Sequence, residues 1–115
     1  MILNAWADSE FEVVASPDIL EEYEETLLEV GHKIGRKGFA ERWIVTIKER
    51  THVVIPKLKI ELCRDKDDDK FLSCAFAANA MFLVSGDKDL GILDRIGSTM
   101  IVTPNLFVRE HLKKR

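Results

Sequence analysis

The stretch Phe71-Leu72-Ser73-Cys74-Ala75-Phe76-Ala77-Ala78-Asn79-Ala80 is apolar around almost its whole circumference, so a helix formed here has to be buried. A helix of that kind belongs near the middle of a fold. The segments around it read as short strands. Phe11-Glu12-Val13-Val14-Ala15-Ser16 leads to a β-branched run, Phe82-Leu83-Val84-Ser85 is closed by Gly86, and Thr99-Met100-Ile101-Val102-Thr103 is closed by Pro104. Strands without a polar face, separated by helices, predict a parallel sheet covered on both sides, that is, an α/β fold. Thr51 to Pro56 is β-branched but broken by proline, which allows an edge strand or an extended connection.

The remaining helices follow from caps and periodicity. Ser16-Pro17-Asp18 supplies an N-cap, a proline at the first helical position and an acid in the first turn. Ile19, Leu20, Tyr23, Leu27 and Val30 then share one arc, and Gly31 is the expected stop. From Gly38 to about Lys48, Phe39, Trp43, Ile44 and Ile47 repeat at helical spacing. A last short helix is expected through Leu106, Phe107 and Leu112. At 115 residues and 46% hydrophobic content, the chain 1–115 is expected to form a single domain.

The net charge of −3 argues against an electrostatic grip on nucleic acid over the whole surface, so any such contact has to be local. Arg36, Lys37, Arg42, Lys48 and Arg50 are the candidates for contacting nucleic-acid phosphates, weighed against a solvated helix face. With no signal-peptide pattern and no long apolar run, no membrane association is expected and the location should be cytoplasmic. Cys63 and Cys74 lack metal spacing and read as reduced thiols, and His32, His52 and His111 are scattered surface residues.

In parallel sheets, ligand sites form beyond the carboxyl ends of the strands. Three acidic groups fall at that edge. Glu22 lies in the helix that follows the first strand, Asp69 opens the buried helix, and Asp87 and Asp89 follow the strand ending at Ser85. Carboxylates facing one another repel unless a hard cation holds them, which points to Mg2+ or Mn2+ and to phosphodiester hydrolysis. Taken singly, Glu22 reads equally well as a solvent-facing glutamate; Asp87 and Asp89 also have a lesser reading as turn residues after Gly86. Asp65, Asp67 and Asp68 read mainly as helix-start capping and charge.

Four stretches, in order, resemble the PIN-domain family, and within it the toxin components of toxin–antitoxin systems. They are Phe11-Glu12-Val13-Val14-Ala15-Ser16-Pro17, Leu20-Glu21-Glu22-Tyr23-Glu24, Cys63-Arg64-Asp65-Lys66-Asp67-Asp68-Asp69-Lys70-Phe71-Leu72 and Phe82-Leu83-Val84-Ser85-Gly86-Asp87-Lys88-Asp89-Leu90. Ile101-Val102-Thr103-Pro104 and Phe107 also fit. The resemblance implies a three-layer α/β/α sandwich and a Mg2+- or Mn2+-dependent endoribonuclease held inactive by an antitoxin protein. It implies that Glu22, Asp69 and Asp87 are catalytic carboxylates, and that these three and Asp89 ligate metal directly or through water. Asp67 and Asp68 stand second. The family opens with a strand ending in an Asp-Thr-Asn type motif. Here Met1-Ile2-Leu3-Asn4-Ala5-Trp6 already reads as the end of the next helix. The expectation is therefore a sheet lacking its central first strand, with impaired activity and homo-oligomerisation through the open edges. Two other readings stand beside it: a non-catalytic assembly module that self-associates or binds an antitoxin, and, more weakly, another doubly wound protein with an acidic pocket.

Overall fold

A computed structural model of the chain describes Ala5, Trp6 and residues 8–112. The expected helix end at Met1–Trp6 lies mostly outside these residues; of it, Ala5 and Trp6 are helical and buried. Strand β1 (Val13–Ala15) runs directly into helix α1 (Pro17–Lys33). The start of α1 is set as the sequence predicts, with the Ser16 hydroxyl accepting from the Ile19 amide at 3.4 Å, Pro17 at the first position and Asp18 in the first turn. Its end differs. α1 continues through Gly31 to Lys33, and Gly31 serves a different purpose: a Cβ there would stand 2.7 Å from the Cβ of Ala40. The missing side chain lets α2 (Lys37–Arg50) pack closely against the last turns of α1.

Strand β2 (Thr51–Val53) is the edge strand that the sequence left open, parallel to β1 with Val13 opposite Thr51 and Ala15 opposite Val53. An irregular segment follows, then a 3-10 turn (Lys66–Asp68) that leads into helix α3 (Asp69–Ala78). After α3 come β3 (Phe82–Val84), α4 (Lys88–Gly91), β4 (Arg95–Ile96), β5 (Thr99–Val102) and α5 (Pro104–Leu106), which widens into a π-helical turn (Phe107–His111).

The fold is α/β with parallel pairing, and the pairing is divided between two sheets. One is β1-β2; the other is β3-β5-β4, with β3 parallel and β4 antiparallel to β5. β4 is an addition to the expected elements. It joins β5 through the two-residue turn Gly97-Ser98, with Gly97 at a φ of 58° that a side chain would strain. No described strand lies between β1 and β3.

Helix α3 packs against both sheets through its buried stretch Leu72–Ala75, but the expected burial does not extend to its last turn, where Phe76 and Ala77 are exposed. Leu72, fully buried, packs in a core with Ile60, Leu90 and Ile101 over the second sheet. Cys74 packs with Ala15 and Ile19 from β1 and α1, with Phe71 and Leu20 against them. Each fully buried leucine of this kind contributes about 1.5–3 kcal/mol. The ring of Phe107 adds a second tie, meeting Phe11 before β1 and Phe82 in β3 edge-on, each at 5.5 Å between centroids.

Candidate metal centre

The loop after β3 and the turn before α3 meet at one edge of the fold. Asp87 caps α4, its Oδ1 accepting from the Asp89 amide at 2.7 Å, while its own amide donates to the Ser85 hydroxyl at 3.0 Å. Opposite, Asp65 closes the 3-10 turn by accepting from the Asp67 amide at 3.0 Å, and this sets the direction of Asp68. One carboxylate oxygen from each of Asp68, Asp87 and Asp89 lies within 4.8 Å of the others. Arg64 reaches Asp89 Oδ2 at 3.2 Å from the solvent side.

These carboxylates are short of positive partners. Oδ2 of Asp68 is enclosed and has no hydrogen-bond partner among the described residues. Burial pushes the Asp68 carboxyl above its ordinary range, and Asp87, Asp65, Asp89 and Asp67 push it the same way. An orphaned oxygen among converging carboxylates is the donor set of a hard, oxygen-seeking cation such as Mg2+ or Mn2+. Opposite ligands of an ion with oxygen contacts of about 2.1 Å stand about 4.2 Å apart, so a 4.8 Å group needs only side-chain adjustment to close on one. The neighbouring Cys63 thiol does not belong to such a set. Burial, then its hydrogen bond to Asp69, pushes it up to about 12, so it stays protonated.

Of the acids singled out in the sequence, Asp87 and Asp89 are brought together, and Asp68 takes the third place. Asp69 points the other way. It is buried, and its Oδ1 accepts from the amides of Leu62 at 3.0 Å and Cys63 at 2.8 Å, fastening the irregular segment to the start of α3. The Cys63 amide holds this carboxyl below the usual range, against desolvation and with help from Leu62. Glu22 is likewise outside the group, paired with Lys70 at 2.7 Å. That contact holds the Lys70 ammonium above its ordinary value, against desolvation.

The basic face expected on α2 is largely engaged within the chain. Lys48 pairs with Glu24 at 3.2 Å, Arg50 donates to the Trp6 carbonyl and to Ser9, and Arg36 stacks over Phe39. A different basic group borders the acidic edge, which the sequence reading passed over. Lys57, Lys59, Lys66 and Lys70 line a cavity of about 460 Å3 between the start of α1, the irregular segment and α3. The alternation Lys57-Leu58-Lys59 was its one sequence signal.

Among the described residues, no helix is long and apolar enough to cross a membrane. Compared with known families, residues 1–89 match the family described as PIN domain. No curated protein and no solved structure matches the chain.

Proposed function

Because the chain belongs to the PIN-domain family, we propose that its acidic edge is the centre of a divalent-metal-dependent endoribonuclease. The observation that carries this reading is the meeting of Asp68, Asp87 and Asp89, with Oδ2 of Asp68 enclosed and lacking a partner among the described residues. Mg2+ or Mn2+ bound there would activate a water and offset charge building on the phosphate and the leaving oxygen. The chain's own residues do the rest. Asp87 is fixed by its cap to α4, Asp89 is steadied by Arg64, and Asp68 is held by the turn that Asp65 closes. Asp69 supports this edge from within by anchoring the segment that carries Cys63 and Arg64. Glu22 stands outside this group and balances Lys70.

The resemblance of the four sequence stretches supports a finer reading, a cytoplasmic toxin component that an antitoxin protein holds inactive. The division into two sheets favours self-association as well, because β1 and β3 each present an edge away from their partner strands.

The test is cleavage of a mixed RNA with Mn2+, with EDTA, and by Asp87→Asn. The expected outcome is Mn2+-dependent cleavage that EDTA stops and that Asp87→Asn lowers at least about tenfold. A folded protein that leaves RNA intact, or cleavage that Asp87→Asn does not change, overturns the assignment and favours the assembly module.

A further inference from the structure

We propose that the lysine-lined cavity beside the acidic edge binds the phosphodiester backbone of single-stranded RNA and holds the strand for the metal centre. The proposal rests on the endoribonuclease reading and names where its substrate lies.

The charge of the cavity is not the background of the molecule. The chain carries a net charge of −3 and 17 basic residues in 115, yet four of the twelve residues lining this one cavity are lysines. The carboxylates that line it are Asp18 and Asp69, and Asp69 is already occupied by two backbone amides. Lys70 is balanced by Glu22, but among the described residues none of Lys57, Lys59 and Lys66 sits in an ion pair. Lys59 acts on Asp69 across the cavity, but with four lysines against two aspartates the lining of this cavity of about 460 Å3 is net positive and attracts a polyanion.

Position selects which polyanion. Asp68 and Asp69 are consecutive; the first joins the carboxylate group and the second lines the cavity. Lys66 belongs to the same turn as Asp68. The acidic group and the cavity thus flank one turn of the chain, Lys66–Asp69, and a strand crossing this turn would carry its phosphates from one to the other. The lining contains no aromatic side chain on which a base could stack. Ammonium groups contact phosphate without reading sequence, so this grip should be indifferent to base identity.

The experiment is fluorescence anisotropy of labelled single-stranded RNA 12-mers, one mixed, one all-A and one all-U, in EDTA and at several salt concentrations. EDTA keeps metal and cleavage out of the measurement. The proteins are the unchanged chain, Lys57→Gln/Lys59→Gln, Lys57→Arg/Lys59→Arg, and Lys37→Gln/Arg42→Gln as a control of equal charge on α2. We expect the cavity Gln pair to weaken binding at least tenfold for all three RNAs. Its slope of log K against log salt should flatten by about 1.4, from about 0.7 per phosphate contact. The Arg pair and the α2 pair should stay within about twofold. Lys57 and Lys59 are exposed, and a thermal melt of each variant checks folding.

No RNA binding by the unchanged chain, or equal losses in the cavity and α2 pairs, overturns the proposal. So does a Gln pair that binds normally. Selective loss in a chain that never cleaves RNA upholds the cavity assignment while the nuclease reading fails, so the two failures are distinguishable.

Discussion

Asp68 and Asp69 are neighbours in the chain with opposite surroundings, and the difference is local. Asp69 is the first residue of α3 and turns inward to two amides, while Asp68 ends the 3-10 turn and faces Asp87 and Asp89. Removing one charge from the repelling group should therefore have two signs. Asp68→Asn should raise Tm in EDTA, because it relieves repulsion, and should abolish the rise in Tm that Mn2+ gives the unchanged chain. That rise corresponds to about 2.7 kcal/mol at a hundredfold excess of metal over its Kd. Differential scanning fluorimetry reads both, and a variant stabilised by Mn2+ as strongly as the parent would exclude Asp68 as a ligand. Why sequence reasoning favoured Asp69 is clear: it lies nearest the apolar face of the helix. The amides of Leu62 and Cys63 that claim it belong to a segment without periodicity, so nothing in the sequence placed them there. Cys74 is a second residue with a readable environment. Burial pushes its thiol up, only partly offset by its contact with the Ser16 backbone. A raised folded value favours the neutral form, so the contribution is complete below the unfolded value of about 8.5 and is lost as pH rises through the folded one. The Tm difference between the parent and Cys74→Ala should accordingly shrink from pH 7 to pH 10. A difference that is constant across this range would contradict the burial argument.

At the scale of elements, α3 and the α1–α2 hairpin decide the packing. Leu72 is fully buried in the core beneath the second sheet, and Leu72→Ala should destabilise by about 2–5 kcal/mol in urea titrations. Gly31→Ala tests a subtler point. Helix propensity alone would favour alanine by about 1 kcal/mol. The new Cβ would meet Ala40 at 2.7 Å, however, and overpacking of this kind costs about 1–3 kcal/mol, so the net effect should be a loss. A higher midpoint for Gly31→Ala would show that α2 can move aside. Both helices were legible from their apolar arcs, and α1 also from its cap. The role of Gly31 was not, because a glycine at a helix end and a glycine under a crossing helix look alike in one sequence. β4 was missed for a different reason. Two residues cannot display alternation, and only the Gly97-Ser98 pair announced the turn.

For the whole molecule, the consequential feature is the boundary between the sheets. In a parallel ladder each residue directs both backbone groups to one side, and the sides alternate along the strand. The Ala15 carbonyl accepts from the Val54 amide on the β2 side, so Val14 directs its backbone groups away from β2. The Ser85 amide donates to Val102, so Val84 likewise turns away from β5. All three residues of β3, the edge strand of its sheet, are only half-buried. The radius of gyration is 14.6 Å, against about 13 Å for a compact domain of this length. Edges that no described strand pairs with are a template for another strand, and a second copy of the chain is the partner we expect to meet them. Multi-angle light scattering should then show a dimer whose fraction grows with concentration. Val14→Pro removes an amide that β2 does not use, so it should shift the mass to the monomer while the far-UV spectrum is kept. A wild-type chain that stays monomeric at every concentration would show that these edges are satisfied within one copy.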